Sequence, residues 1–257
     1  MSSLQTAERV SSIEMSDNVI YQRHLVAYNY AAANISGKVL EVGCGEGYGL
    51  SLLADKADEY IAIDKFAPDL SRFAARLNNV HFIQMDVPPL GFPDDTFDAI
   101  VSFQVIEHIE EDEALVKEMA RVLKPGGKLI LTTPNKNMSL TRNPWHIREY
   151  RATELAALLQ IHFSEVTTNG VYGNEKVMNY YEKNKVSVQR ITRFDVLNLQ
   201  YRLPRQVLQI PYDILNRINR RLLLRGNKNL VSDIGVSDYI IKTADDACFD
   251  LLAVAVK

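Results

Sequence analysis

The sequence predicts an α/β fold built on a largely parallel sheet. Short apolar runs that indicate strands alternate with helical patterns from residue 38 to about residue 170, which is typical of strands joined by crossover helices. The strand runs are nearly continuous in Val, Ile and Leu, as expected when both faces of a sheet are covered. With 257 residues, 24% of them charged and 47% hydrophobic, the chain can form one such core and an appendage.

Seven segments of the chain are predicted as strands. In chain order they are residues 38–43, 60–64, 81–86, 97–103, 127–133, 163–171 and 248–257. Helices are predicted between the earlier strands at residues 48–57, 68–77, 111–123 and 152–160. The second of these helices starts with Pro68, whose missing N–H costs nothing in a first helical turn. No helix follows the seventh strand, which therefore stands apart from the repeating pattern.

Two regions lie outside this alternation. Residues 16–35 begin with good N-cap residues and predict a helix before the sheet, within an N-terminal segment at 1–36. The core is predicted at 37–171 and 247–257, and residues 172–246 form an insert between the sixth and seventh strands. Because ligands of such sheets bind at the carboxyl ends of the strands, the insert is predicted to cover a pocket there.

The insert is basic and predicts helices. Residues 186–200 and 211–224 each carry apolar side chains three or four positions apart, the pattern of an amphipathic helix. Residues 176–228 hold 12 Lys and Arg against 3 Asp and Glu. This excess suits a solvated face, an anionic small molecule or a lipid surface, and the sequence leaves the three open. Aromatic residues are not interleaved with the charges, so neither nucleic-acid binding nor membrane insertion is expected.

Charge, hydropathy and cysteine content limit the expected cellular compartment and the kinds of site. The net charge of −3 gives no global field that favours nucleic acid or membranes. The first residues are polar and no apolar run approaches the roughly 18 residues of a membrane span, so we predict a cytoplasmic protein without a signal peptide. Cys44 and Cys248 suggest no disulfide framework. No Cys/His cluster has metal-ligand spacing, and no metal site is predicted.

Residues 39–49 read VLEVGCGEGYG, with four glycines where a buried strand meets a helix. A glycine turn lets a ligand touch backbone N–H groups at the positive end of that helix. The dinucleotide spacing G-x-G-x-x-G fails here, because Tyr48 or Leu50 stands at the third position in the two possible registers. No triphosphate-binding loop is present either. The motif is E-x-G-x-G-x-G, from Glu41 to Gly47, and it predicts a cofactor site of another kind.

Four blocks together resemble the class I S-adenosylmethionine-dependent methyltransferases. They are VLEVGCGEGYG (39–49), IAID (61–64), FIQMDVPPLGFPDDTFDAIVSFQVIEHI (82–109) and EMARVLKPGGKLILTTPN (118–135). The resemblance covers about two fifths of the chain. It implies a Rossmann-like, seven-stranded, doubly wound sheet that is mostly parallel with an antiparallel last strand, and a helical insert between strands six and seven. It also implies S-adenosylmethionine as cofactor and S-adenosylhomocysteine as its product.

The resemblance assigns cofactor contacts to particular residues. Asp64, ending the second strand, would accept hydrogen bonds from the two ribose hydroxyls, and Asp86, ending the third, would accept one from the adenine amino group. Glu41 would help to hold the cationic end, and capping of a helix or loop is the alternative for Glu41 and Asp86. The other residues expected around the cofactor are Gly43, Cys44, Gly45, Gly47, Lys65, Val87, Phe103 and Gln104, with Tyr21 and Arg23 from the N-terminal helix.

Histidines are the candidates for catalysis. Methyl transfer from a sulfonium is an in-line displacement, and a hydroxyl acceptor must also lose its proton to a group titrating near neutrality. His108 and His146 follow the fourth and fifth strands at the ligand-binding edge and are the candidate bases, with packing or loop hydrogen bonding as the alternative. His81 and His162 begin strands at the opposite edge and are predicted to be structural. His24, in the N-terminal helix, reaches the cofactor or faces solvent.

Two segments are predicted to bind the acceptor. Residues 143–150 read NPWHIREY, which resembles a subgroup of bacterial polysaccharide and glycan methyltransferases. Trp145 and Arg148 in this loop, and Tyr172 and Tyr180 near the start of the insert, are the candidate acceptor contacts. For the loop, the alternative is that Trp145 anchors it in the core while Arg148 and Glu149 pair with each other. For Tyr172 and Tyr180, the alternative is that they pack within the insert.

The predicted reaction is therefore methyl transfer to a hydroxyl of a small, sugar-like acceptor, which the basic insert would suit if the acceptor is anionic. Carbon or oxygen methylation of a quinone-like or natural-product aromatic is an alternative. A cofactor-binding scaffold without catalysis is another, of a different class. The N/D-P-P-Y/F signature of amino methyltransferases is absent from the chain, which argues against adenine or glutamine as the acceptor.

Overall fold

The structure is a computed structural model that describes residues 10–67, 78–195 and 197–257. Its strands are β1 (Lys38–Val42), β2 (Glu59–Asp64), β3 (Val80–Gln84), β4 (Phe97–Phe103), β5 (Leu123–Pro134), β6 (Glu165–Gly173), β7 (Tyr239–Thr243) and β8 (Asp250–Val256). Its α-helices are α1 (Asn18–Ala32), α2 (Leu50–Leu53), α3 (Asp112–Val122), α4 (Ala152–Gln160), α5 (Glu175–Thr192), α6 (Leu199–Arg202), α7 (Arg205–Gly226) and α8 (Lys228–Asp233). The helix predicted at 68–77 lies outside the described residues.

One mixed sheet organises the core, in the strand order β3-β2-β1-β4-β5-β8-β6-β7. The first five strands pair in parallel, and β8 is antiparallel to both of its neighbours, β5 and β6. The predicted α/β class, mostly parallel sheet and antiparallel last strand are confirmed. The described strands number eight rather than seven, because residues 239–243, predicted to belong to the insert, form the edge strand β7 beside β6.

Successive side chains of the strands point to opposite faces of the sheet, and each face packs against its own apolar cluster. On one face, Leu40 and Ile100 belong to a buried cluster that includes residues of α3 and α4. On the other face, Val39 and Val101 belong to a cluster with residues of α1 and α2. Helices cover both faces of the parallel part of the sheet, which explains why its strands are almost entirely apolar.

The strand order reverses between β1 and β4, which lie side by side although two strands separate them in the chain. Ligands of open α/β sheets bind at such a switch point, beyond the carboxyl ends of the strands. β1 leads directly into the glycine loop, and β4 ends at Phe103 and leads into Gln104. The topology therefore brings the glycine loop and Gln104 to one crevice.

The insert folds as helices over this edge, with other bounds than predicted. α5 begins at Glu175, where the Asn174 side chain accepts hydrogen bonds from the backbone of Lys176 and Val177, and it ends at Thr192. The helix predicted at 186–200 is therefore wrong in both bounds. α7 contains the whole segment predicted at 211–224 but begins six residues earlier, with Pro211 inside it. No helix among the described residues is long and apolar enough to cross a membrane.

Polar contacts tie the insert to the rest of the chain. Asn219 of α7 contacts Ser187 and Asn184 of α5 by hydrogen bonds of 2.6 and 2.7 Å. Arg220 of α7 pairs with Asp17, just before α1, at 2.9 Å with both side chains largely buried. The insert and the N-terminal helix are thus held together on the same side of the sheet.

Candidate active site

The glycine loop after β1 adopts a backbone that requires glycine. Gly43, Gly45 and Gly47 have φ angles of +82°, +57° and +75°, in the left-handed region that other residues avoid. The N–H groups of Gly43 and Cys44 both donate to the carbonyl of Ile63 in β2, at 2.8 and 3.1 Å. The loop is therefore anchored to the neighbouring strand in a fixed shape.

Asp64, the last residue of β2, connects this loop to the turn after β2. One carboxylate oxygen accepts from the N–H of Gly45 at 2.9 Å, and the other accepts from the N–H of Phe66 at 2.9 Å. An ionised carboxylate can accept about four hydrogen bonds, so it can bind donors of a ligand as well as backbone N–H groups. A diol held beside the loop is a ligand of the right chemistry.

Only part of the glycine loop has room for a ligand. A Cβ on Gly43 would lie 2.3 Å from Cγ2 of Val105, and one on Gly49 would lie 1.8 Å from the ring of Tyr28. A Cβ on Gly45 would meet no protein atom within 4 Å. Gly43 and Gly49 are thus required for packing, whereas Gly45 faces an open cradle over bare backbone.

Helix α1 covers this loop through aromatic contacts. The rings of Tyr21 and Tyr28 lie 5.3 and 5.5 Å from the ring of Tyr48, both edge-on. Nδ1 of His24 lies 3.0 Å from the Tyr48 hydroxyl. Phe103, at the end of β4, packs edge-on against Tyr28 at 4.8 Å. The N-terminal helix therefore closes one side of the crevice.

Two predicted cofactor residues, Glu41 and Cys44, have their side chains buried beneath the loop. Glu41 is 1% exposed, and its two oxygens accept hydrogen bonds from the hydroxyls of Tyr28 and Tyr60 at 2.7 and 2.8 Å. Burial raises the pKa of this carboxyl, and the two hydrogen bonds oppose that rise. The Cys44 side chain is likewise buried in the core. The predicted direct contact of Glu41 is therefore corrected to support of the loop from below.

Lys65 and Asp86 lie together beyond the ends of β2 and β3. The Lys65 ammonium and the Asp86 carboxylate form an exposed ion pair at 2.8 Å. Val87, the next residue, packs its side chain against the core. These residues are at the predicted edge of the sheet. The second oxygen of Asp86 can accept a hydrogen bond from the amino group of a nucleobase.

A cavity of about 520 Å³ lies next to Gln104 and helix α1, and one of its lining residues, His24, contacts Tyr48 of the glycine loop. Gln104 lines it next to the crevice, and its N–H donates to the carbonyl of Thr132 at 2.9 Å. Residues of α1, of the segment after β5 and of the insert complete the walls. The predicted residues among them are Arg23, Gln104, His108, His146 and Tyr180.

Two histidines meet on the wall of this cavity, with ring centroids 5.0 Å apart. Nδ1 of His146 lies 2.7 Å from Oε1 of Glu149, and Nε2 lies 2.8 Å from the amide nitrogen of Asn143. Nδ1 of His108 lies 3.1 Å from the carbonyl oxygen of Trp145. When its Nδ1 donates to such an acceptor, a neutral imidazole has Nε2 as its basic atom.

Glu107 completes this cluster from below. Its carboxylate is buried and accepts from the Thr133 hydroxyl at 3.0 Å, and its carbonyl accepts from the N–H of Ile147 at 2.7 Å. Burial raises the pKa of Glu107, while the imidazoles of His108 and His146 oppose the rise. Ligand atoms of Glu107, His108 and His146 lie within 4.8 Å of one another, a set able to hold a metal ion. The spacing of these residues in the sequence does not predict such a cluster.

Three predicted acceptor residues lie outside the cavity wall. Trp145 donates from its indole to Asp213 of α7 at 3.0 Å. Arg148 pairs with Asp112 of α3 and donates to the carbonyl of Glu110, so its predicted roles in the acceptor site and within the loop are both wrong.

Tyr172 is also corrected, because it lies in β6 with its hydroxyl already paired. That hydroxyl donates to the carbonyl of Thr243 at 2.9 Å and accepts from the N–H of Asp245 at 2.8 Å. Arg23, predicted beside the cofactor, lines the cavity and pairs with Asp250 at 2.9 Å. Of the four predicted acceptor residues, Tyr180 is the one that lines the cavity.

Comparison with known proteins identifies the family. The methyltransferase domain family matches residues 40–131, which hold the glycine loop and the strands around it. A probable S-adenosylmethionine-dependent methyltransferase of Mycolicibacterium smegmatis is 31% identical over 98% of this chain and 94% of its own length. The chain belongs to the S-adenosylmethionine-dependent methyltransferases. A methyltransferase of Mycobacterium tuberculosis, also termed probable, is 38% identical over 56% of this chain and 54% of its own length.

A solved structure shows the same fold as this chain. The YcgJ protein of Bacillus subtilis superposes with a TM-score of 0.56 at 19% identity, covering 91% of this chain and 99% of that protein. The methyltransferase is thus an enzyme that takes its methyl group from S-adenosylmethionine, and the cradle at Gly45 fits a ligand that lies on backbone.

A paired substitution tests the cradle. Gly45 and Gly126 both have left-handed φ angles, +57° and +77°, and neither has a protein atom within 4 Å of a Cβ. Alanine at either position should destabilise the fold equally, by about 1 kcal/mol. Only Gly45→Ala should also weaken S-adenosylhomocysteine binding, by about tenfold or more, because its methyl group occupies the cradle. Thermal unfolding measures the loss of stability, and calorimetric titration measures the affinity for S-adenosylhomocysteine. Equal affinities in both variants would show that the cofactor does not lie against Gly45.

Proposed function

We propose that this methyltransferase transfers the methyl group to a hydroxyl of a small, sugar-like acceptor, with His146 as the general base. The observation that carries the proposal is the His146–Glu149 pair on the cavity wall, at 2.7 Å. A carboxylate that fixes one nitrogen of an imidazole orients the other toward a substrate and stabilises the imidazolium formed on proton transfer. Sequence reasoning selected His146, but it paired Glu149 with Arg148 and gave Asn143 no role.

The cofactor is proposed to lie across the crevice beside the cavity. Asp64 would accept from the ribose hydroxyls, Asp86 from the adenine amino group, and the backbone at Gly45 would lie against the amino-acid portion. Gln104 stands where the crevice meets the cavity, next to the expected place of the methyl group. In this arrangement Gln104 would separate the cofactor from the cavity in which His108 and His146 lie.

The proposed reaction is an in-line displacement. The acceptor oxygen forms a bond to the methyl carbon while the carbon–sulfur bond breaks and its electron pair returns to sulfur, leaving a neutral thioether. The acceptor proton passes to Nε2 of His146, in place of the present contact with Asn143. A positioned base of this kind contributes about 10²–10⁴-fold to the rate.

The lining of the cavity supports a polyhydroxylated acceptor. Amide and hydroxyl side chains occur on its walls and can pair with sugar hydroxyls; examples are Gln104, Ser139 and Asn216. Three tyrosines, Tyr180, Tyr181 and Tyr212, add flat surfaces on which a sugar ring can stack.

A quinone-like or natural-product aromatic is the second candidate. A ubiquinone biosynthesis O-methyltransferase of Xanthomonas oryzae is 30% identical to this chain over 161 residues, 52% of this chain and 66% of its own. The lid side of the cavity also carries apolar residues that suit an aromatic ring, including Val188, Ile191 and Leu208. A phenolic hydroxyl would need the same base.

Release of S-adenosylhomocysteine during an acceptor screen distinguishes the candidates. One panel holds monosaccharides and short oligosaccharides, with and without phosphate or carboxylate groups, and the other holds hydroxylated aromatics. Turnover of a saccharide supports the proposal, and turnover confined to phenols favours the second candidate. Anionic saccharides should lose affinity as ionic strength rises. Cofactor binding without turnover of any acceptor in either panel would favour a non-catalytic scaffold.

Treatment with a chelator tests whether His146 acts as a general base or as a metal ligand. If His146 accepts the proton directly, treatment with EDTA should leave kcat unchanged, because no ion participates. A loss of activity that Mg²⁺, Mn²⁺ or Zn²⁺ restores would instead assign Glu107, His108 and His146 to a metal that activates the acceptor hydroxyl. The measurement is the initial rate with one identified acceptor before and after dialysis.

A further inference from the structure

The outer face of α7 carries an apolar stripe exposed to solvent. Val207, Ile210, Ile214 and Ile218 recur every three or four residues and are 58%, 71%, 54% and 47% exposed. At 1.5 Å per residue, the stripe runs about 16 Å along the helix. The opposite face of an amphipathic helix normally carries polar residues, so a row of branched apolar side chains there indicates an interaction surface.

The segment before α7 extends this surface. Further large apolar side chains are exposed at Phe194, Leu197, Leu199 and Tyr201. We use the term apolar rim for these four residues together with the four of the stripe. The rim belongs entirely to the insert.

The cavity opens close to the apolar rim. Of the described residues that line the cavity, four are exposed at the surface: Ser139, Leu199, Pro211 and Leu215. Three of these are apolar and come from α6 and α7. Leu199 belongs to the rim itself, so a molecule that enters the cavity on this side passes over apolar surface.

Basic residues accompany the stripe on α7. Arg221 and Arg225 are exposed and follow Ile218 on the same helix face by helical spacing. Within residues 176–228, the 12 Lys and Arg exceed the 3 Asp and Glu by nine charges. A second copy of the chain would place like charges against each other at this face, whereas an anionic surface would neutralise them.

We propose that the apolar rim docks on an anionic lipid bilayer. The branched side chains of α7 enter the boundary between headgroups and acyl chains, and Arg221 and Arg225 contact lipid phosphates. The mouth of the cavity then faces the membrane. An acceptor held at a lipid surface could enter without crossing bulk water, a consequence that rests on the proposed function, although docking itself does not. Sequence alone missed this surface because exposure of the apolar residues is known only from the fold.

Vesicle sedimentation tests the docking. The full chain should sediment with phosphatidylcholine vesicles that contain phosphatidylglycerol and much less with phosphatidylcholine alone, and the bound fraction should fall as salt rises. The variant I210S/I214S should lower the partition coefficient by about tenfold or more, since it removes apolar groups from the interface. The variant R221E/R225E should abolish the preference for anionic vesicles. None of these residues lines the cavity.

Matched controls keep the outcome decisive. Ile161 and Ile240 are 55% and 58% exposed and lie outside the insert helices, so I161S/I240S should sediment like the unmodified chain. Titration with S-adenosylhomocysteine confirms that each variant is folded. Absence of sedimentation with both vesicle types, or equal sedimentation of I210S/I214S, would overturn the proposal. So would a dimer in gel filtration that I210S/I214S dissociates, because the rim would then be a subunit interface. These assays need no acceptor, and their failure leaves the proposed reaction standing.

Discussion

Asp64→Ala should weaken S-adenosylhomocysteine binding by about 100-fold or more. Two charge-assisted hydrogen bonds to ribose hydroxyls would be lost, each contributing about 1.5–3 kcal/mol. The substitution also removes the acceptors for the N–H groups of Gly45 and Phe66, so the loop loses part of its anchor. Calorimetric titration of the purified variant gives the affinity, and thermal unfolding reports the structural part of the effect.

A second aspartate provides the control for Asp64. Asp98 accepts from the N–H of Lys38 at 2.8 Å and pairs with Lys124 at 2.7 Å, far along the strands from the glycine loop. Asp98→Ala should therefore reduce stability while leaving cofactor affinity within about twofold. If both variants bind S-adenosylhomocysteine like the unmodified chain, the ribose contact belongs to another residue.

His146→Gln should lower kcat by about 10²–10⁴-fold with an identified acceptor, because the acceptor proton then has no positioned base. Cofactor affinity should change little, since His146 lies on the cavity side of Gln104. Glu149→Gln keeps the shape of the pair but loses the charge that stabilises the imidazolium, and it should lower kcat by a smaller factor. Rates at saturating acceptor and cofactor measure both effects.

Two other histidines make the test specific. His162 does not line the cavity, and its Nε2 lies 4.0 Å from Oε1 of Glu113. His162→Gln should therefore leave kcat unchanged. His108→Gln should affect turnover less than His146→Gln, because the proposed base carries the carboxylate partner. The reverse order would transfer the role of base to His108.

Local sequence patterns were sufficient to predict where the residues proposed to hold the cofactor lie in the fold. The glycine loop, Asp64 and Asp86 are each specified by a strand end and a short motif, and the parallel sheet then brings them to one edge. Within this set, Glu41 was misjudged because its partners, Tyr28 and Tyr60, come from α1 and β2, and their distances are set by packing rather than by sequence spacing.

The acceptor side depends on contacts between distant segments. His108 and His146 meet although 38 positions separate them, and Arg148 turns toward Asp112 on α3 instead of the cavity. Tyr172 was assigned to a lid because β6 continues two residues beyond its predicted end. The edge strand β7 was missed because it is short and only its first residue is buried, which leaves no alternating apolar pattern to detect.

Titration of the unmodified protein with S-adenosylhomocysteine and, separately, with NAD⁺ tests the central claim that the backbone of the glycine loop receives an adenosyl sulfonium. We expect one molecule of S-adenosylhomocysteine to bind per chain and NAD⁺ to give no binding heat, because the loop lacks the third glycine position of a dinucleotide site. Binding of NAD⁺ in its place, or of neither ligand, would contradict the account.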